Sequence, residues 1–322
     1  MDSVKWGIIG CGNVTEVKSG PAFQKATNSE LVAVMRRNGE LAKDYAKRHN
    51  VPKWYDHADK LINDNDVNAV YIATPPSTHK YYTLKVAQAG KPVYVEKPMA
   101  MNYAECEEMI NACEKADVPL FVAYYRRSLP RFLKVKSIIE DNQLGKVLFV
   151  DVKLYRQPTS FDKDPQNWRV IPEIAGCGYF CDLASHTLDL LQYYFDKITV
   201  AKGLFKNQSG RYKAEDFVSA VFEFKSGVEG TGSWCFNALK NEDKVEIIGT
   251  RGKITFSTFS NEPVVLITEN GTKTFMIQHP PHIQQPLIQN IVDELLGNGK
   301  SPSTGETAAA TNWVIDKILN RI

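Results

Sequence analysis

The feature that most narrows what this chain can fold into is a glycine turn at the end of its first apolar run. Residues 4–9 (VKWGII) are short and apolar, and they stop at Gly10-Cys11-Gly12-Asn13-Val14-Thr15. Gly10 permits a tight turn, and Gly12 lets the backbone approach a pyrophosphate at a helix N-terminus. A lone GxG carries little weight. One that directly follows a strand and opens a helix sits in the setting where dinucleotides bind. Thr15 stands where the usual fingerprint has its third glycine. The plain alternative is a tight strand–helix turn with no ligand.

The rest of the first third supports the nucleotide reading. Residues 31–35 (LVAVM), 68–72 (NAVYI), 92–95 (PVYV) and 119–122 (PLFV) are further short apolar runs. Between them, 39–49, 78–88 and 102–115 carry helical spacing. Strands alternating with helices at these lengths predict a parallel sheet wound by crossover helices. The runs do not alternate, as expected for strands covered on both faces. At the end of the second run an NAD enzyme usually places an acid that binds the ribose 2′-hydroxyl. Here the residues are Met35-Arg36-Arg37-Asn38. Two guanidiniums suit a 2′-phosphate, so NADP is expected, with NAD the alternative if both arginines are merely solvated.

Two further turns fall at the carboxyl edge of this sheet, where ligands bind in such folds. One is Ala73-Thr74-Pro75-Pro76-Ser77-Thr78-His79, whose prolines end a strand and whose Ser77 or Thr78 can cap a helix. The other is Glu96-Lys97-Pro98. From spacing alone Lys97 reads equally well as a surface charge or a catalytic group, and the Lys97–Pro98 bond is a candidate cis peptide.

Beyond residue 123 the pattern changes. A basic amphipathic stretch at 128–141 precedes strand-like segments at 146–156, 199–206, 216–225, 228–236, 243–249, 252–257, 263–269 and 272–278. Turns such as Lys225-Ser226-Gly227 and Asn270-Gly271 separate several of them as hairpins require. This predicts a second, α+β domain with a large, mostly antiparallel open sheet, closed by helices at 283–297 and 304–320. The expected boundaries are 1–123 and 124–322, so the chain as a whole is α/β. Strand 216–224 carries apolar residues on both faces, Val218, Ala220, Phe222 and Phe224 on one and Phe217 and Val221 on the other. That pattern predicts a covered outer face and at least a homodimer.

One segment of this half stands apart. Gln166-Asn167-Trp168-Arg169 leads to Ala175-Gly176-Cys177-Gly178-Tyr179 and then to Asp182-Leu183-Ala184-Ser185-His186-Thr187-Leu188-Asp189. On a helix, Asp182, His186 and Asp189 share a side. A carboxylate there can raise the histidine pKa and orient its ring. The plain alternative is a hydrogen-bonded structural histidine.

These elements together resemble the glucose–fructose oxidoreductase / inositol dehydrogenase / rhizopine-catabolism family, written Gfo/Idh/MocA. The matching stretches are GIIGCGN at the start, EKPMAM at 96–101 and AGCGYFCDLASHTLDLL at 175–191. Trp168-Arg169 and the arginine-bearing second strand look most like the anhydrofructose reductase branch. The resemblance implies an N-terminal Rossmann parallel sheet and an NAD(P)-dependent oxidoreductase acting on a carbonyl or hydroxyl carbon of a sugar, polyol or anhydroketose. It implies Lys97, Asp182 and His186 as the catalytic group. Around the dinucleotide it implies Gly10, Cys11, Gly12, Asn13, Val14, Arg36, Arg37, Thr74, Pro75, His79, Glu96, Lys97, Trp168 and Arg169. Tyr125, Tyr155, Arg169 and Asp189 are the candidate substrate contacts. Cys177 replaces the middle glycine of the usual triple-glycine loop. Tyr124-Tyr125-Arg126-Arg127 stands where many members have an asparagine before the arginines.

Charge and cysteine usage exclude other classes. The 322 residues carry 39 basic and 37 acidic side chains, a net charge of +2. No global field is available to hold nucleic acid or an anionic membrane. No apolar run approaches the ~20 residues of a membrane helix, and MDSVKWGIIG does not read as a secretory signal. A cytoplasmic protein with six buried or free thiols is therefore expected. Neither Cys177/Cys181 nor His279/His282 has the company a metal site needs, so no metal is expected. Two other readings share this architecture: a glycoside hydrolase that uses bound NAD without net turnover, and a non-catalytic NADP-binding regulator. The arginine pair argues against the first. The joint presence of Lys97, Asp182 and His186 argues against the second.

Overall fold

The computed structural model describes residues 2–322. The chain forms two compact units, and their boundaries differ from the expected single cut after residue 123. The first unit runs through Leu129 and takes back Pro280–Ala309, while the second holds Pro130–His279 and Ala310–Ile322.

In the first unit, β1 (Val4–Ile9), β2 (Ser29–Met35), β3 (Lys53–Tyr55), β4 (Ala69–Ile72), β5 (Val93–Val95) and β6 (Leu120–Val122) form one sheet in the order β3-β2-β1-β4-β5-β6. Every pairing is parallel. The order reverses between β1 and β4, which makes the carboxyl edge of that pair the ligand crevice of a doubly wound fold. Helices α1 (Asn13–Val17), α2 (Gly20–Lys25), α3 (Gly39–Arg48), α4 (Ala58–Ile62), α5 (His79–Gln88) and α6 (Tyr103–Lys115) provide the crossovers. Trp6, Ile8, Val70, Ile72, Val93, Val95 and Val122 are wholly buried, each worth roughly 1.5–3 kcal/mol against exposure. Strand β3 has no counterpart in the sequence reading. Its three residues, Lys-Trp-Tyr, form an edge strand defined by its partner β2 and not by its own composition.

The second unit opens with α7 (Pro130–Glu140) and is built on β7 (Val147–Tyr155), β8 (Ile198–Lys206), β9 (Phe217–Phe224), β10 (Glu229–Cys235), β11 (Glu242–Gly249), β12 (Gly252–Phe256), β13 (Val264–Thr268) and β14 (Gly271–Phe275). Their order is β14-β13-β12-β11-β7-β10-β9-β8. The β7–β10 pair is parallel and the other pairs are antiparallel. Burial alternates along the strands. Val218, Ala220, Phe222 and Phe224 face the core while Val221 is exposed. Between β7 and β8 lie the short α8 (Pro172–Ala175), a wide π-helical turn at Phe180–Ala184, and α9 (Ser185–Phe195).

Helix α10 (Gln285–Leu295) explains why the first unit reclaims a late segment. Its Leu287, Ile288, Ile291 and Val292 are wholly buried, and it packs on α2 and on the turn Tyr125–Ser128 of that unit. The last helix, α11 (Gly305–Ile318), contains the point where the chain passes to the second unit. No described helix is long and apolar enough to cross a membrane.

Candidate active site

In the first unit the glycine turn is pinned at both ends. The Gly10 and Cys11 N–H groups both donate to the Met35 carbonyl, at 2.9 and 3.1 Å. This ties the loop to the end of β2, beside Arg36. Gly10 has φ +93°, and a Cβ there would sit 2.8 Å from Thr74 Cγ2. The glycine therefore lets the β1 and β4 loops touch. Thr15 does not fill the role of the missing third glycine. Its hydroxyl donates to the Gly12 carbonyl at 2.8 Å. The close approach moves to Gly20, where a Cβ would collide with the Thr15 carbonyl and the Tyr45 hydroxyl. Cys11 is wholly buried, and burial pushes its thiol up to about 11. Asn13 is exposed and Val14 half-buried at the start of α1. Glu16 in α1 receives both Arg48 terminal nitrogens, at 2.8 and 2.9 Å, so α3 steadies the loop helix.

Arg36 and Arg37 are both exposed just past β2. Among the described residues, neither guanidinium is bonded to a carboxylate, and none of Met35, Arg36, Arg37 and Asn38 is acidic. Asn38 caps α3 by accepting from the Leu41 N–H at 3.2 Å. Two unpaired cations beside a glycine turn at the switch point of a parallel sheet fit a phosphorylated dinucleotide by the chemistry of their donors.

The next two turns are joined by His79. It was expected at the cofactor, but its ring is wholly buried beneath the loops. Nε2 lies 2.7 Å from the Thr74 carbonyl, and Nδ1 lies 3.1 and 3.2 Å from the Pro98 and Met99 carbonyls. Burial pushes its pKa down, against the pull of those carbonyls and of Glu96. Its work in this structure is to tie the Thr74-Pro75 turn to the segment after Lys97. Thr78 does occupy the N-cap of α5, yet its hydroxyl turns back to Thr74 Oγ1 and the Pro75 carbonyl instead of capping. Lys97 follows β5 at the carboxyl edge, and the Lys97–Pro98 bond is cis. Glu96 is 7% exposed, and its carboxylate accepts from Tyr71 Oη at 2.6 Å, Gln284 Nε2 at 2.6 Å and the Lys97 N–H at 3.1 Å. Tyr125 is buried with the Arg126 guanidinium over its ring.

In the second unit, the turn Trp168–Val170 stacks Arg169 on Trp168 at 4.5 Å, and Arg169 Nε reaches Asp182 Oδ2 at 3.3 Å. Asp182 lies in the π-helical turn, so an α-helical face alone does not describe its relation to His186. His186 is 4% exposed in the first turn of α9, with Asp189 buried three residues on. The Phe259 ring meets the His186 ring edge to face, with centroids 5.8 Å apart. Phe259 is set by Asp243, whose carboxylate accepts the N–H groups of Thr258, Phe259 and Ser260 at 2.9, 2.6 and 3.0 Å.

Two expectations are corrected here. Tyr155 was a candidate substrate contact, but it projects from β7 on the same face as Asp151 and Lys153 and bonds Ser233 Oγ at 2.8 Å. Leu154 and its β10 partner Trp234 point to the opposite face, where Phe180 packs on Trp234. Strand alternation thus turns Tyr155 away from the π-helical turn that carries Asp182. Six thiols were expected, but Cys177 and Cys181 are joined as a disulfide with Cα atoms 5.2 Å apart. The four-residue spacing beside the π-helical turn brings them within bonding reach. Cys11, Cys106, Cys113 and Cys235 are free. Among the described residues no group of three or more His, Cys, Asp or Glu is placed to hold a metal ion.

Sequence reasoning missed Gln284, Asp243 and Phe259. Each acts across a long sequence separation, and none lies in a motif.

Comparison with known proteins agrees with the two-sheet architecture. Residues 4–124 match the model of an oxidoreductase family with an NAD-binding Rossmann fold, and residues 132–255 match the GFO/IDH/MocA C-terminal domain. An "Oxidoreductase P35" of Formosa agariphila is 42% identical over 97% of each chain. A 1,5-anhydro-D-fructose reductase of Ensifer adhaerens is 26% identical over 94% of this chain and 91% of its own. The structure of a levoglucosan dehydrogenase in complex with NADH and levoglucosan superposes with a TM-score of 0.86 at 22% identity, covering 99% and 96% of the two chains. The chain belongs to the Gfo/Idh/MocA family of oxidoreductases.

Proposed function

We propose that this protein is an NADP(H)-dependent oxidoreductase that interconverts a hydroxyl and a carbonyl on a sugar, polyol or anhydroketose. The observation that carries the reading is Lys97, set at the carboxyl edge of the parallel sheet in a turn whose neighbouring carboxylate is fully hydrogen-bonded. The names of two similar proteins, an anhydrofructose reductase and a levoglucosan dehydrogenase, support the substrate class.

A bound nicotinamide dinucleotide supplies or accepts the hydride. Gly10, Gly12, Asn13, Val14, Thr74 and Pro75 would hold its pyrophosphate side, and Arg36 and Arg37 would hold its 2′-phosphate. Lys97 stabilises negative charge developing on the substrate oxygen. His186 gives that oxygen its proton in reduction and removes it in oxidation. Asp182, held by Arg169, orients the imidazole. Tyr125, Arg169 and Asp189 offer hydrogen bonds to the remaining hydroxyls. The cytoplasm, with its dinucleotide pool, is the compartment of this reading.

Assembly belongs to the same proposal. The outer face of the large sheet exposes Leu204 (75%), Val221 (55%) and Phe149 (41%). A second copy covering this face would remove that apolar area from water. Light scattering at micromolar concentration should give at least twice the monomer mass, and a monomer would refute the dimer.

The function is tested by following nucleotide absorbance against a panel of sugars, inositols and anhydroketoses. Turnover with at least one polyhydroxy substrate is expected. Fluorescence titration should show NADPH binding more tightly than NADH. Arg36→Asp should weaken NADPH selectively by roughly 10- to 150-fold, the worth of one charge-assisted contact. Tighter NADH binding by the wild type would overturn the cofactor assignment.

A further inference from the structure

We propose that Gln284 is a positioning residue for Lys97 and acts through the Glu96 carboxylate. The inference rests on the reading of Lys97 as catalytic. It adds a residue 187 positions away in sequence.

Gln284 is wholly buried, and both polar atoms of its amide are hydrogen-bonded. Nε2 donates to Glu96 Oε1 at 2.6 Å, and Oε1 accepts from Tyr94 Oη at 2.8 Å. Its main-chain N–H donates to the Lys18 carbonyl at 3.2 Å. Two residues earlier, His282 Nδ1 lies 2.7 Å from the Val17 carbonyl. One segment thus grips the end of the glycine-turn helix with its backbone and the Lys97 turn with its side chain. The Glu96 oxygen opposite the Gln284 contact receives the Lys97 N–H at 3.1 Å. A buried carboxylate must find donors, and here the donors fix its plane. That plane sets the peptide from which the Lys97 side chain departs.

The choice of an amide has a chemical reason. The titratable groups facing Glu96 are Tyr71 on β4, Tyr94 on β5 and His79 on α5. Burial and the Glu96 charge hold both phenols well above their usual range, so they remain neutral. Burial holds His79 below the usual imidazole range. Only an uncharged donor at position 284 can meet Glu96 Oε1 while still accepting from Tyr94. A carboxylic acid there does the same while protonated. Once ionised it places two negative charges on one site.

This gives the test. Turnover of wild type, Gln284→Glu and Gln284→Met is measured from about pH 5 to pH 8 with the best polyhydroxy substrate, beside the melting temperature of each at every pH. For Gln284→Glu, the ratio of variant to wild-type turnover should fall roughly 10-fold or more as pH rises and the shared proton is lost. For Gln284→Met the ratio should be low and flat. A Gln284→Glu ratio that does not change with pH, even with a lowered melting temperature, would show a merely structural residue and overturn the proposal. Lys97→Met serves as the separate control. If it keeps wild-type turnover, the catalytic reading fails, whatever Gln284 does.

Discussion

The two sheets use their strands in opposite ways. In the six-stranded sheet, β4, β5 and β6 are buried at every position. Both faces are covered, so chemistry is confined to the loops at the carboxyl edge. The glycine turn, Thr74 and Lys97 all lie there. In the eight-stranded sheet, burial alternates, and Val221 and Leu204 stay exposed on the outer face. Its candidate catalytic groups come from a π-helical turn and α9, laid against the inner face. The mode of fixation differs as well. Lys97 sits in a turn held by hydrogen bonds to a buried carboxylate. His186 is walled by the aromatic ring of Phe259 on a loop anchored by Asp243. The proposed function divides the labour along the same line, with dinucleotide binding and charge stabilisation in the first unit and proton handling in the second.

The strongest test of this division is the pair of single substitutions. His186→Ala should lower turnover by about 10²-fold or more while leaving NADPH affinity nearly unchanged. Lys97→Ala should lower turnover comparably and weaken the nucleotide as well. If both groups serve one oxygen, as proposed, the losses in the double variant should not add. Steady-state turnover and fluorescence titration on all four proteins would check this. Near-normal turnover in His186→Ala would remove proton handling from the second unit.

A smaller effect separates the two ways of fixing a side chain. Asp243→Asn keeps the shape but puts a non-accepting amide nitrogen at one of the two oxygens, so at least one of the three hydrogen bonds to the Phe259 loop is lost and the rest lose their charge. It should cost about 2 kcal/mol of stability and lower kcat/KM roughly 10-fold through a looser His186. Nucleotide affinity should stay unchanged. Denaturant unfolding and kinetics on one preparation would show whether the two losses travel together.

The smallest expected effect concerns acid. Each unit holds a carboxylate well below its usual range. Glu16 is lowered from 4.5 to about 2, chiefly by the Arg48 hydrogen bonds. Glu246 also falls to about 2, because burial, which raises it, is outweighed by Lys244 and Lys253. A depressed carboxylate adds stability that is complete above its unfolded value, and that is lost as pH falls through the folded value. The window is therefore between 4.5 and about 2. The Glu246 side chain is 13% exposed and that of Glu16 is 34%. Water screens Glu16 more, so Glu246→Gln should flatten the acid limb of stability more than Glu16→Gln does. The Glu246 effect should not exceed about 1 kcal/mol. Unfolding midpoints across that pH range would decide it.

Local pattern settled much of this protein. The first strand and its glycine turn, the two-arginine end of β2, and the alternating strands of the second half could be read along the chain, because periodicity and turn chemistry act over a few residues. Only the tertiary structure decided the rest. Strand β3 exists because β2 offers it an edge. Tyr155 faces away from the Asp182 turn because sheet register, not residue type, chooses the face. His79 looked like a ligand contact and is a buried tie between two turns, since a ring's partners depend on what packs around it. Gln284 carries no motif, and the position of Glu96 beside it follows from a helix that returns to the first unit after the whole second sheet has been built. Such contacts are set by the apolar burial of α10, which no local stretch of sequence can announce.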